Sequence, residues 1–265
     1  MKIGVFDSGV GGLIILRAIR EKLPHYDYVY LGDTKRVPYG NRSQKQLYAF
    51  TKQGIEYLCK QNCSLIVVAC NSASSRALRK LQRQWLPKRY PERRILGVII
   101  PTAEASLSTK ARRIGVLATK ATVLSKSFSK ELKKLDSRIS VVHRSAPDLV
   151  RLIEDGYITD CQPLVECYLK PLLDKKVQSI ILGCTHYPIL KKMIRSLVPS
   201  AVSIISQDEV IPQKLIDYLK RHKEIESSLS RGRSLRIDVT RSTAHIELLA
   251  QRWFRKKLCL KKVST

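Results

Sequence analysis

The chain has 265 residues, 44% of them hydrophobic, and a formal net charge of +27. That composition excludes a disordered or fibrous protein. No apolar run is long enough to cross a bilayer, and the N-terminus "MKIGVFDSGVGG" has neither the apolar stretch nor the cleavage pattern of a secretory signal, so a cytoplasmic protein is expected.

Short apolar, β-rich runs alternate with longer stretches of helical period. The runs occupy residues 2–6, 26–32, 64–69, 94–100, 113–118, 139–143, 179–183 and 201–206. Helical stretches such as "VGGLIILRAIREKL" and "SQKQLYAFTKQGIEYLCKQ" lie between them. Buried-looking strands alternating with helices predict an α/β fold with mainly parallel sheets. "IGVFDSGVGGL" at Ile3 is echoed by "IGVLATKATVL" at Ile114, and "LIVVACNSASS", carrying Cys70, by "IILGCTHYPIL", carrying Cys184. Both pairs recur at nearly the same offset, which predicts two pseudo-symmetric α/β domains. The first spans residues 1–96 plus about 208–265, the second 97–207, with the run near 95–100 crossing between them. The helical stretches "LIDYLKRHKEIESSL" and "STAHIELLAQRWF" would pack back on the first domain.

Ligands of open α/β sheets bind beyond the carboxyl ends of the strands. Asp7, Ser8 and Cys70 stand at such ends in the first half, and Thr119, Cys184, Thr185 and His186 in the second. If the halves face each other, each contributes one cysteine to the cleft between them. A buried cysteine can equally pack as a small hydrophobe, and Asp7 or Ser8 can serve as a helix cap. The glycines of "FDSGVGG" fit neither the dinucleotide fingerprint nor the P-loop, which removes the support for a nucleotide-dependent enzyme. Their backbone N–H groups, opening a helix, suit a carboxylate instead. The seven cysteines form no CxxC pair, so neither a disulfide framework nor a structural metal is expected.

The basic excess is densest at residues 76–94 and 252–265. No nucleic-acid motif accompanies it, so solvated helix faces are the expected explanation, with nonspecific polyanion binding at low salt.

"VFDSGVGG", "GDTKRVPYG", "VVACNSAS" and "GCTHYP", in that order, resemble the cofactor-independent glutamate racemases of the aspartate/glutamate racemase superfamily, from Met1 to about residue 220. The resemblance implies an active site at the domain interface, interconversion of L- and D-glutamate for peptidoglycan synthesis, no cofactor, no metal and frequently a homodimer. It implies Cys70 and Cys184 as the two catalytic bases, acting on D- and L-glutamate respectively, with Asp7 assisting Cys70 and Glu154, in "LVRLIEDG", orienting or tuning His186. It further implies substrate contacts from Asp7, Ser8, Tyr39, Gly40, Asn71, Ser72, Thr185 and His186. Ser72 stands where threonine is usual, Ala146 where cysteine is common and Ile100 where an acid is frequent. The usual Asp-Ser pair is missing at Ser206. An aspartate racemase is the nearest alternative, and His186, where those enzymes tend to carry an acid, favours glutamate. A protein contacting DNA or gyrase through its basic surface is the alternative of another class.

Two acid/base groups on opposite faces of one carbon are what a cofactor-free racemisation needs. One must hold a proton while the other lacks one. A free thiol ionises near pH ~8.5, and a helix N-terminus after each strand is expected to lower that value.

Overall fold

The computed structural model describes residues 1–265. Ten strands follow the chain: β1 (Lys2–Asp7), β2 (Tyr28–Gly32), β3 (Cys63–Val68), β4 (Arg94–Gly97), β5 (Arg113–Ala118), β6 (Ser140–Ser145), β7 (Ser179–Gly183), β8 (Ser203–Ile205), β9 (Leu235–Val239) and β10 (Leu260–Lys262). They form two sheets, ordered β10-β9-β2-β1-β3-β4 and β6-β5-β7-β8. Every pairing is parallel. The inner order β2-β1-β3-β4 becomes that of the second sheet when each strand is replaced by the one four places later. The echo between Ile3 and Ile114 is thus the echo of β1 and β5, the second strand in its own set of four.

Crossover helices cover parallel strands on both faces, so such strands can be apolar throughout. Here β2, β3 and β7 are buried at every position. The helix Gly12–Lys22 buries Leu13, Ile14, Leu16 and Ile19 against the first sheet. The helix Gln44–Lys60 opens with a capping box in which Ser43 and Gln46 satisfy each other's backbone N–H groups. The helix Gln207–Arg221 leaves the second sheet after β8 and packs on Gly12–Lys22 of the first half, as does Ala244–Phe254. One apolar core therefore runs from Ile3 and Val5 to Ile180 and Leu182 and joins the halves.

Three expectations change. The run at 94–100 stops as a strand at Gly97, and a helix, Ile99–Leu107, begins two residues later. The edge strand of the first sheet, not a six-residue crossover strand, thus leads into the second half. β9 and β10 join the first sheet without having been expected. β9 reads "LRIDV", and Arg236 is paired with the buried Asp238 at 2.7 Å, so its charges hide an interior strand. β10 lies within the basic tail as "LKK". Lysines on a sheet edge discourage further strands from pairing there.

Phe128 is fully buried beneath the second sheet with Ile114, Val116 and Ile181. Phe128→Ala should lower stability by about 3–5 kcal/mol in urea unfolding. A loss below ~1 kcal/mol would show that this core collapses around the gap.

Candidate active site

Four strand ends converge. Asp7 ends β1, Cys70 follows β3, Thr119 follows β5 and Cys184 follows β7. Between them lies a cavity of about 360 Å³, lined by Cys70, Asn71 and Ser72 from one half and Cys184, Thr185 and His186 from the other. Ser8, Tyr39 and Gly40 line it from the first half and Glu154 from the second. The thiols are nearly buried, Cys70 at 5% exposure and Cys184 at 6%.

The glycine turn lets the halves meet. A Cβ on Gly11 would stand 2.7 Å from His186 Cε1 and from Thr185 Oγ1. Gly11 has an ordinary helical backbone, with φ −59°, so proximity and not conformation requires the glycine there. A Cβ on Gly12 would stand 2.6 Å from that of Asp7. The N–H groups of Gly9 and Gly12 both donate to Asp7 Oδ2 at 3.1 Å. The loop thus cradles a carboxylate belonging to its own chain. Asp7 is fully buried and does not line the cavity, so it stands behind the residues that do. Its Oδ1 has no hydrogen-bond partner. Burial raises its pKa above the ordinary carboxyl value, although His186 pulls it down.

Cys70 caps the helix Asn71–Arg76, which was expected to lower its pKa. Burial, joined by the Asp7 carboxylate, instead pushes it up to about 12, against the weaker effects of its hydrogen bond with Ser8 and of the Ala73 N–H. Its Sγ donates to Ser8 Oγ at 3.5 Å. Cys184 has a different neighbour. Its Sγ lies 3.7 Å from His186 Nδ1, and His186 Nε2 lies 2.9 Å from Glu154 Oε1. Burial disfavours the imidazolium, but hydrogen bonds to Cys184 and Glu154 outweigh it and raise His186 to about 10. No helix begins at Cys184: a 3-10 turn, Tyr187–Leu190, comes first. The two thiols therefore sit in opposite fields, a carboxylate behind one and a cation beside the other.

Asn71 was expected to hold substrate. It lines the cavity, and its amide exchanges two 2.8 Å hydrogen bonds with Gln207, across the halves. Both residues are buried, and Gln207 is completely so. Ser72 Oγ meets Thr119 Oγ1 at 2.9 Å, again across the halves. Tyr39 lines the cavity, but its hydroxyl donates to Asp33 Oδ2 at 2.5 Å. A Cβ on Gly40 would approach that of Thr119 to 3.1 Å.

Sequence reasoning passed over Lys120 and Arg151, the cations lining the cavity, and Trp253, whose ring meets His186 edge-on at 5.2 Å between centroids. Arg151 precedes Glu154 by three residues in the helix Asp148–Glu154, a spacing that shares a face and could have revealed it. Nothing local signals Trp253.

Two nearly buried thiols are thus offered to one small cavity from equivalent strands of a repeated half. The chain belongs to the Asp/Glu/Hydantoin racemase family, whose model matches residues 14–211. It is 42% identical over 223 residues to the glutamate racemase of Aquifex aeolicus, covering 83% of this chain and 84% of that protein. Its fold matches the crystal structure of Bacillus anthracis glutamate racemase isoform RacE1 with a TM-score of 0.90, at 33% identity over 99% of this chain and 97% of that one. It also matches Francisella tularensis glutamate racemase in complex with D-glutamate with a TM-score of 0.89, at 30% identity over 99% and 97% of the two chains.

Gln207→Ala leaves a buried amide unpaired and should cost about 1–3 kcal/mol of stability. In a double-mutant cycle with Asn71→Ala, followed by urea unfolding, the two losses should be non-additive by about 0.5–3 kcal/mol. Additive losses would mean that the pair does not form in solution.

Proposed function

We propose that the protein interconverts L- and D-glutamate by passing the Cα proton between Cys70 and Cys184, and so supplies D-glutamate for peptidoglycan synthesis. The observation that carries this reading is the pair of thiols lining one cavity in opposite electrostatic surroundings.

In one direction Cys184, as thiolate, takes the proton from one face of Cα, and Cys70, as thiol, gives its own to the other face. Cys184 ends protonated and Cys70 ionised, so the reverse reaction starts from the state the forward one leaves. The proton held by Cys70 in the free protein suits the donor role. The imidazolium of His186, held by Glu154, faces the sulfur that must carry negative charge. For the free protein to begin in the opposite direction, Cys70 must first lose its proton. Ser8, hydrogen-bonded to its sulfur, and Asp7, whose carboxyl burial makes more basic, form the route.

The carbanion needs donors already in place around the substrate carboxylate. Ser8, Ser72 and Thr185 line the cavity with hydroxyls. Lys120 and Arg151 line it with cations, matching a substrate with a second carboxylate. Tyr39 and Gly40 shape the wall of the first half. Glutamate is preferred to aspartate because His186, rather than an acid, stands beside the second thiol.

Incubation with L-glutamate in D₂O without added cofactor should cause loss of circular dichroism together with Cα deuteration, and L-aspartate should show neither. Deuteration of aspartate alone would reverse the substrate assignment. Cys70→Ala or Cys184→Ala should each reduce racemisation by at least about 10²–10⁴-fold, and near-normal turnover by either variant would refute the two-thiol mechanism.

His186 is held protonated up to about pH 10. Its folded pKa lies above the ordinary imidazole value, so its charge favours the fold fully below about pH 6.5 and ceases to do so as pH rises through about 10. Glu154→Gln removes one of the groups that raise it. The alkaline limb of kcat/KM for L-glutamate should move to lower pH, and an unmoved limb would show that Glu154 does not act through His186.

A further inference from the structure

Asn71 and Gln207 form a reciprocal pair of carboxamides beside the thiols. Asn71 Nδ2 donates to Gln207 Oε1, and Gln207 Nε2 donates to Asn71 Oδ1, each at 2.8 Å. Asn71 directly follows Cys70 and lines the cavity. Gln207 is fully buried and does not line it, so it acts on the cavity only through Asn71.

A primary carboxamide carries two N–H donors and an oxygen with two lone pairs. The reciprocal bonds use one N–H and one lone pair of each residue. Asn71 keeps one further N–H, on a buried side chain at the cavity wall. A buried donor left unmet is costly. A carboxylate oxygen in the cavity is the acceptor that suits it, because hydrogen bonds to ionised groups are the strong ones.

The oxygen and nitrogen of a carboxamide differ little in shape, so packing alone does not decide which of them an asparagine turns toward a cavity. The pair restricts the choice. If Asn71 turned over by itself, its oxygen would face the Gln207 oxygen and its nitrogen the Gln207 nitrogen, and both bonds would be lost. A concerted turn of both amides would keep the bonds but set an oxygen where an anionic substrate needs a donor. The position of Gln207 adds a condition. It is the first residue of the helix Gln207–Arg221, which follows β8 of the second sheet, whereas Asn71 opens the helix Asn71–Arg76 after β3 of the first. The donor is therefore set only while the halves stand together.

We propose that Gln207 is a positioning residue for the racemisation: by pairing with Asn71 across the halves, it holds the free Asn71 N–H ready for the substrate carboxylate. This deepens the racemase reading and rests on it. The competing account is a plain tie, in which the pair joins the halves and the second Asn71 N–H meets no substrate.

Asn41, Asn62 and Asn71 are the only asparagines of the chain, so ¹⁵N-labelled asparagine gives three side-chain amide signals, and Asn71→Asp identifies that of Asn71. Saturating glutamate should move one of the two Asn71 amide protons and leave the other, held by Gln207, nearly in place. Gln207→Met keeps the length of the side chain and removes both bonds. In that variant the selective shift should vanish, and kcat/KM for L-glutamate should fall at least about tenfold, the order of one lost hydrogen bond to a charged group. A plain tie would lower stability alone. Folded Gln207→Met, checked by circular dichroism, would then keep kcat/KM within about twofold of the unmodified protein, and the proposal would be overturned. Should the variant not fold, the unmodified protein decides: an Asn71 amide unmoved by saturating glutamate overturns the proposal. An unmodified protein that does not racemise glutamate would sink the racemase reading and this inference together, whereas an active one with an unmoved Asn71 amide would sink this inference alone.

Discussion

The close passage of Gly11 beneath Thr185 and His186 is the constraint on which the rest of the site depends. Parallel strands deliver side chains only to their own carboxyl edge, so one sheet could offer one thiol to one face of a substrate. A second face requires a second sheet, brought edge to edge with the first. The glycine makes that approach feasible, because any side chain there would occupy the space of the imidazole. The reciprocal Asn71–Gln207 amides and the Ser72–Thr119 hydroxyls then fix the distance. Each joins the two halves within a residue or two of a cysteine or of the strand end facing one.

Repetition supplies the two thiols, and divergence makes them unequal. The folded frame around Cys70 and Cys184 is the same strand order used twice. The charges behind the sulfurs are not repeated. A carboxylate cradled by Gly9 and Gly12 stands behind one, and an imidazole held by Glu154 stands beside the other. Two chemically identical groups thus face the same cavity in unequal electrostatic surroundings.

Much of this was legible from residue pattern alone. The apolar runs located β1 to β8, and β2, β3 and β7 carry the continuous signature of parallel strands buried at every position. The recurring turns at Cys70 and Cys184 revealed the repeat. β9 was not legible because its Arg236 and Asp238 neutralise each other inside the fold, and "LRIDV" carries no apolar run. β10 was hidden in a run of lysines that protect a sheet edge. At the site, the residue types at strand ends were enough to nominate the thiols and His186, while Glu154, at the end of the helix Asp148–Glu154, was nominated only by the family resemblance. The direction of the Cys70 shift was not readable, since a helix N-terminus and a buried carboxylate oppose each other and only depth decides between them. Nor was the partner of Asn71, because Gln207 is remote in sequence and the amide pair exists only once the halves meet.

The way β9 and β10 complete the first sheet affects how the protein comes into being. All strands of the second sheet lie between residues 113 and 205, whereas the first sheet needs both residues 2–97 and residues 235–262. A ribosome making this chain from its N-terminus therefore releases every strand of the second sheet before the first sheet can close. The half that bears Cys184 has its full set of strands while the half that bears Cys70 still leaves the β2 edge unpaired. The two thiols that share one cavity are thus unequal in age: one is framed early, and the other waits for β9 and β10.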